Sequence, residues 1–339
     1  MKCKQTRNKI IYWINIFILF FYLSGCKSSS DEIPYAEISN GLVKAKLYLP
    51  DAETGYYQGT RFDWSGVIPE LEYEGHAYFG QWFAKYDPKK NDAICGPVEE
   101  FSPIGFEEAN PDDEFLQIGI GGLKKPDNEK HNRFGLYEIS NPGKWSVKKS
   151  SDNVSFTHKL NNVAGYSYVY TKTVRLTEGK PELVLKHTLK NTGKQTITTD
   201  VYNHNFFTID NQHTGTDIVV KFPFQVFGDW EKEDSLAICV GNEIVYSRNF
   251  EPRESVFMSN VQGHTQSLQD YDFRIENRKT GAGVRITGDK PVSKIVYWAS
   301  AKTSCPEPYI DIEIQPGEEF SWNIVYEFYV FEPFEKSID

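Results

Sequence analysis

Residues 189–210 read LKNTGKQTITTDVYNHNFFTID, and the pattern on either side of the turn decides the fold. Leu183, Leu185, His187 and Leu189 recur at period two, and so do Thr196, Thr198, Asp200 and Tyr202. That is the repeat of strands. Between them Asn191-Thr192-Gly193-Lys194 supplies a turn whose Gly can take positive φ, so the spacing predicts a hairpin running into His204. An imidazole titrates near pH 6.5, which suits His204 to hand a proton to a group within hydrogen-bond reach. A half-buried His satisfied by neighbouring backbone is the commoner use of the residue. The flanking amides Asn203 and Asn205 add polar groups that suit a ligand site.

Working outward, strand patterns recur at 42–49, 145–149, 154–159, 166–176, 182–190, 218–227, 243–246, 272–276, 283–287, 294–299 and 321–331, with turn signals between them. Helical periodicity is nearly absent, no repeat of 20–50 residues is evident, and no Pro/Gly/Ser linker divides the chain. These features predict an all-β protein, one large antiparallel β-sandwich over residues 35–335.

A second informative stretch is residues 304–323, SCPEPYIDIEIQPGEEFSWN. Pro306 and Pro308 stiffen the backbone around Glu307 at the entrance to an alternating strand, Tyr309 to Ile314, which leads to a Pro316-Gly317-Glu318-Glu319 turn. A carboxylate so presented can act as a general base, and with a His of separated pKa it makes an acid–base pair. The other use of such a residue is a solvated turn carboxylate, in a chain with 47 Asp and Glu.

Together the two stretches resemble the galactose mutarotase-like superfamily, the aldose 1-epimerases and their relatives. The resemblance is carried by His204-Asn205-Phe206-Phe207 after an L-x-N-x-G turn, and by Glu307 followed by the PGE turn at Pro316. It implies a supersandwich fold and a sugar substrate. It also implies roles: His204 protonates the ring oxygen, and Glu307 takes the anomeric hydroxyl proton. No cofactor is needed, because the carbonyl unmasked on ring opening does the chemical work. Aldose 1-epimerases also carry an earlier site histidine in an HGG-like segment, and this chain has no such triplet; it reads Gly96-Pro97-Val98-Glu99-Glu100-Phe101 and, later, residues 115–123 instead.

In the first half, GYYQGTRFDWSG at 55–66 alternates Arg61 and Asp63 with Phe62 and Trp64. In an extended conformation both charges share one face and both rings the other. The pair suits sugar hydroxyls, or equally a fold-stabilising ion pair. His76, Trp82 and Trp298 are further candidates for binding, as aromatic rings can line a sugar cleft or simply pack a sheet. The expected site is one cleft with Arg61 nearby, in which His204 and Glu307 stand apart by the width of a sugar ring.

The amino terminus places the protein. Lys2, Lys4, Arg7 and Lys9 precede an apolar run at 10–23, and Leu23-Ser24-Gly25-Cys26 looks like a bacterial lipobox, so residues 1–25 read as a signal peptide. Fourteen residues interrupted by Asn15 are short for a span that needs about 20. Cys26 becomes the lipidated first residue, residues 26–34 a polar tether, and Lys27 after it resembles proteins sent to the outer membrane, facing periplasm or cell surface. Removing 1–25 takes away four positive charges and no negative one, so the formal net charge goes from -10 to -14. So acidic a chain excludes nucleic acid as a partner. Cys95, Cys239 and Cys305 allow at most one internal disulfide, and without CxxC or HExxH no dedicated zinc site is expected, while the many carboxylates leave a bound calcium open. Three functions remain open: an isomerase of the aldose 1-epimerase type, a carbohydrate-binding lipoprotein without turnover, or a polysaccharide lyase or hydrolase.

Overall fold

The computed structural model describes residues 33–127, 130–231 and 235–334; the signal segment, Cys26 and residues 27–32 of the tether lie outside them. Among the described residues there is no α-helix, only two short 3₁₀ turns. A ten-stranded antiparallel sheet contains β9 (Lys144–Lys149), β10 (Asn153–Val163), β11 (Tyr166–Leu176), β12 (Glu182–Asn191), β14 (Ile218–Lys221), β15 (Ala237–Val240), β16 (Glu243–Tyr246), β18 (Asp272–Asn277), β19 (Ala282–Gly288) and β22 (Glu319–Val330). Its spatial order is β15-β16-β14-β18-β19-β22-β12-β11-β10-β9. A five-stranded sheet runs β17-β20-β21-β13-β5, made of β5 (Val98–Phe101), β13 (Ile197–His204), β17 (Ser255–Met258), β20 (Lys294–Ser300) and β21 (Thr303–Ile314). Two smaller sheets complete the fold: β1 to β4 (Tyr35–Ser39, Val43–Tyr48, Val67–Tyr73, His76–Ala77), and β6 to β8 (Glu114–Gln117, Gly121–Lys124, Ile139–Asn141).

The two large sheets pack face to face through one apolar core. Leu183, Leu185 and Leu189 of β12, with Trp322 and Ile324 of β22, meet Ile197 and Val201 of β13 and Ile310, Ile312 and Ile314 of β21. In β12 the period-two spacing is therefore that of inward-facing side chains, whereas in β13 Thr198, Asp200 and Tyr202 mark the outer face and Ile197 and Val201 the inner one. Most expected strands are present, with 166–176 and 243–246 matching residue for residue; the one expected at 218–227 stops at Lys221, before Pro223, which cannot donate to a ladder.

The turn at 191–194 does not close a hairpin. β12 pairs with β11 and β22, whereas β13 pairs with β21 and β5, so the chain crosses from one sheet to the other there. The reason lies in Asn191, fully buried, whose Nδ2 donates to Gln195 O (2.7 Å) and Ile314 O (2.9 Å) while its Oδ1 accepts from Gly193 N (2.9 Å). Gly193 is needed for close approach and not for a positive φ: a Cβ there would sit 2.7 Å from Ser167 N. The PGE turn is a second crossover, from β21 to β22, with Gly317 at φ 88. The two crossovers bind each other, Asn191 N to Glu318 O and Gly317 N to Asn191 O, both 2.9 Å. This clamp lays β13 beside β21.

Candidate functional site

That pairing sets Tyr202 opposite Tyr309 and Asp200 opposite Asp311. Side chains alternate across a strand, so Tyr202 and His204 of β13, Glu307 and Tyr309 of β21, Trp298 of β20 and Glu100 of β5 share the outer face of the five-stranded sheet. Glu307 lies inside β21, not at a strand entrance, and pairs with Val296. Pro306 and Pro308 are tolerated there because the ladder to β13 ends at Tyr309. Asn205 Nδ2 donates to Pro306 O at 2.9 Å and ties the two strand ends together.

His204 Nε2 and Glu307 Oε1 are 3.2 Å apart, with side chains only 5% and 4% exposed. The expected gap of a sugar ring is absent, and the cleft is roofed. Phe206, in the left-handed region at φ 37, folds its ring flat onto His204 at 3.7 Å, and Phe62 and Trp298 meet the imidazole edge-on at 5.7 and 5.5 Å. Trp82 stacks on the far side of Phe206 at 5.0 Å. These rings exclude the water that an open cleft would admit.

Burial acts oppositely on the two groups, because it penalises the charged form of each. It pushes Glu307 up to about 8, Arg61 and Arg133 opposing and Glu100 assisting. It drives His204 well below the usual imidazole range, with Arg61 and Arg133 adding to the effect. At neutral pH the pair therefore holds one proton, on Glu307, facing a neutral imidazole. His204 Nδ1 has no partner among the described residues.

Arg61 acts on this pair through its charge. Its Nε meets Glu100 Oε2 at 2.7 Å, Nη1 meets Asp92 Oδ1 at 2.6 Å and Nη2 donates to Tyr202 OH at 3.1 Å. Tyr202 also hydrogen bonds Glu100, and Arg133 Nε reaches Glu100 Oε1 at 3.2 Å. The sequence reading missed Glu100, Asp92, Arg133, Tyr202 and Tyr309. Tyr202 is two residues from His204 and thus on its face, a signal that period two alone supplies.

Other expected site residues go elsewhere. Segment 60–66 is not a strand, so Arg61 and Asp63 do not share a face: Asp63 turns inward to Ser65 Oγ (2.5 Å) and Tyr170 OH (3.1 Å). Asn203 points between the sheets, donating to Glu99 Oε1 at 3.1 Å, and Asn205 accepts from Tyr326 OH at 2.8 Å. Asn203 lies off the His204 face because it neighbours His204 on an alternating strand, and Asn205 because the chain leaves β13 after His204 and its side chain is held between Pro306 O and Tyr326 OH. Glu99 is held there by Lys172 and by His187 Nε2 at 2.8 Å. His76 pairs with Asp210 at 2.9 Å, beside the 3₁₀ turn Ile209–Asn211. Trp82 and Trp298 do stand at the site, edge-to-face at 5.4 Å and half-buried. The three cysteines are free thiols, and the described residues contain no cluster that could hold a metal ion.

No protein-family profile and no curated protein sequence matches this chain. Among solved structures it is similar to a galactose mutarotase-related enzyme from Lactobacillus acidophilus, 12% identical, over 89% of this chain and 99% of that one, TM-score 0.52. It is likewise similar to a galactose mutarotase-like protein from Lactobacillus casei (13%, 87% and 100%, TM-score 0.52). A third is the aldose epimerase homologue from C. elegans (16%, 88% and 99%, TM-score 0.51). The chain therefore has the galactose mutarotase-like β-sandwich fold.

Proposed function

We propose that the protein binds a carbohydrate on the outer face of the five-stranded sheet, and that its His204–Glu307 pair serves recognition and not turnover. The observation that carries this reading is the contact itself. Two catalytic groups that must act on opposite sides of a sugar ring are 3.2 Å apart and almost without solvent access. Glu307, raised to about 8, is largely protonated at neutral pH and poorly suited to take a proton. What faces outward instead is a ring-and-donor surface: Trp82, Trp298 and the half-exposed Arg133.

A second reading, the isomerase of the aldose 1-epimerase type, is favoured by the convergence of His204 and Glu307 on one face, within the field of Arg61. A proton-bearing carboxyl and a neutral imidazole form an acid and a base, and they need only be parted by a ligand. NMR of free aldoses separates the two readings, using wild type, His204→Asn and Glu307→Gln. Saturable binding with equal anomer interconversion in all three is expected. A rate that drops roughly 10²–10⁴-fold in either variant would transfer the assignment to the isomerase. Binding by no sugar would overturn both. We also propose, from the lipobox, that Cys26 carries lipid and holds the protein at the outer membrane; Cys26→Ser should move it to the soluble fraction.

A further inference from the structure

Beside the site, the loop over residues 130–137 carries Arg133 at the edge of the His204–Glu307 face and, next to it, a ring that face does not use. Phe134 is 63% exposed, yet its backbone is fixed from several directions. Buried Asn91 accepts from Thr60 N at 3.0 Å and donates to the carbonyls of Arg133 (3.2 Å) and Gly135 (2.8 Å). Asn132 Oδ1 accepts from Phe134 N at 3.0 Å, and Asn132 O from Gly135 N at 2.9 Å. A large ring held in solvent by a fixed backbone offers contact area at small entropic cost.

The position of that ring is specific. Arg61 Cζ lies 4.9 Å from its centroid, and the same guanidinium bonds Tyr202, whose ring is 6.1 Å from that of His204. Phe134 thus stands one contact beyond the inner groups. Two accessible charged side chains accompany it, Asp92 (38% exposed) and Arg133 (40%), both tied into the Arg61–Glu100 network. Planar donors, carboxylate acceptors and an exposed ring are what a sugar's hydroxyls and apolar face require.

We infer that Phe134, Asp92 and Arg133 form a second carbohydrate subsite, so that the ligand is an oligosaccharide or a glycan chain end and not a free monosaccharide. The inference rests on the reading of this face as a carbohydrate site. Calorimetry with glucose, galactose and mannose, each against linear trisaccharides of the same sugar, tests it. For the sugar that binds, the trisaccharide should bind about tenfold more tightly, the scale of one good ring contact. Phe134→Ala should bring that ratio to near one, whereas Leu136→Ala, exposed on the same loop, should leave it. Equal affinity of mono- and trisaccharide for wild type, or an undiminished ratio in Phe134→Ala with its melting temperature unchanged, overturns the subsite. If no sugar in the panel binds wild type, the carbohydrate reading itself fails and the subsite with it.

Discussion

Replacing Glu307 by Gln should change how stability depends on pH, in a way fixed by where protons sit on the pair. Glu307 has a folded pKa raised to about 8, so the stability it contributes is present below its unfolded pKa near 4.3 and is lost as pH rises through about 8. His204 has its folded pKa depressed, so its contribution is present above the unfolded value near 6.5 and is lost as pH falls below that. Just below pH 6.5 the folded pair holds one proton, on Glu307, and the unfolded pair also holds one, on His204, so the two contributions cancel for as long as His204 stays neutral in the fold. From about 6.5 to 8 only the folded pair keeps its proton, and stability should fall by up to ~1.4 kcal/mol per pH unit, about 2 kcal/mol in all. Relative to wild type, Glu307→Gln should lack this decline, and below about 6.5 its stability should climb relative to wild type as pH rises, because His204 remains without its compensating neighbour. Urea unfolding at half-unit pH steps from 5 to 9 reads both slopes. Buried Asp63, raised to about 7 by burial against the pull of Lys172, adds a decline of its own, but it is common to both proteins and leaves their difference untouched. Parallel curves for wild type and variant would refute the account of the pair.

Other outcomes follow from the packing. Lys172→Met leaves the Glu99 carboxylate buried against His187 and Asn203 without its main counter-charge, and should cost about 3–5 kcal/mol in urea unfolding. Asn191→Ala leaves the backbone clamp but removes the three side-chain bonds that shape the first crossover and tie it to Ile314 of β21, and should cost about 2–4 kcal/mol. Gly193→Ala, pressed against Ser167 N, should destabilise by about 1–3 kcal/mol. Trp298→Ala should weaken sugar binding about tenfold while folding is retained, as read by calorimetry and near-UV dichroism.

The fold was legible because so many strands bury one face only. β11 alternates through Tyr168, Tyr170, Lys172 and Val174 on the inner side, and its period survives one charged member. The sheet assignment at 191–194 was not legible, since a tight turn with Asn and Gly serves a hairpin or a crossover equally, and only the bonds of Asn191 to the second sheet decide. Motif and spacing brought His204 and Glu307 to one face, though not their direct contact at 3.2 Å. Asn203 and Asn205 were misplaced because adjacency in sequence was read as adjacency in space: strand alternation turns Asn203 inward, and Asn205 follows the end of β13. Glu99 and Glu100 sat unread in one tetrapeptide. Their opposite faces send one to Lys172 and the other to Arg61, which appears only when both sheets are in place.

The most direct test of the central claim is a titration of wild-type protein with free aldoses and oligosaccharides, followed by NMR in the same tube for binding and for anomer interconversion. Saturable shifts with interconversion no faster than in buffer are the predicted result. Interconversion accelerated by wild type and abolished in both His204→Asn and Glu307→Gln would contradict it.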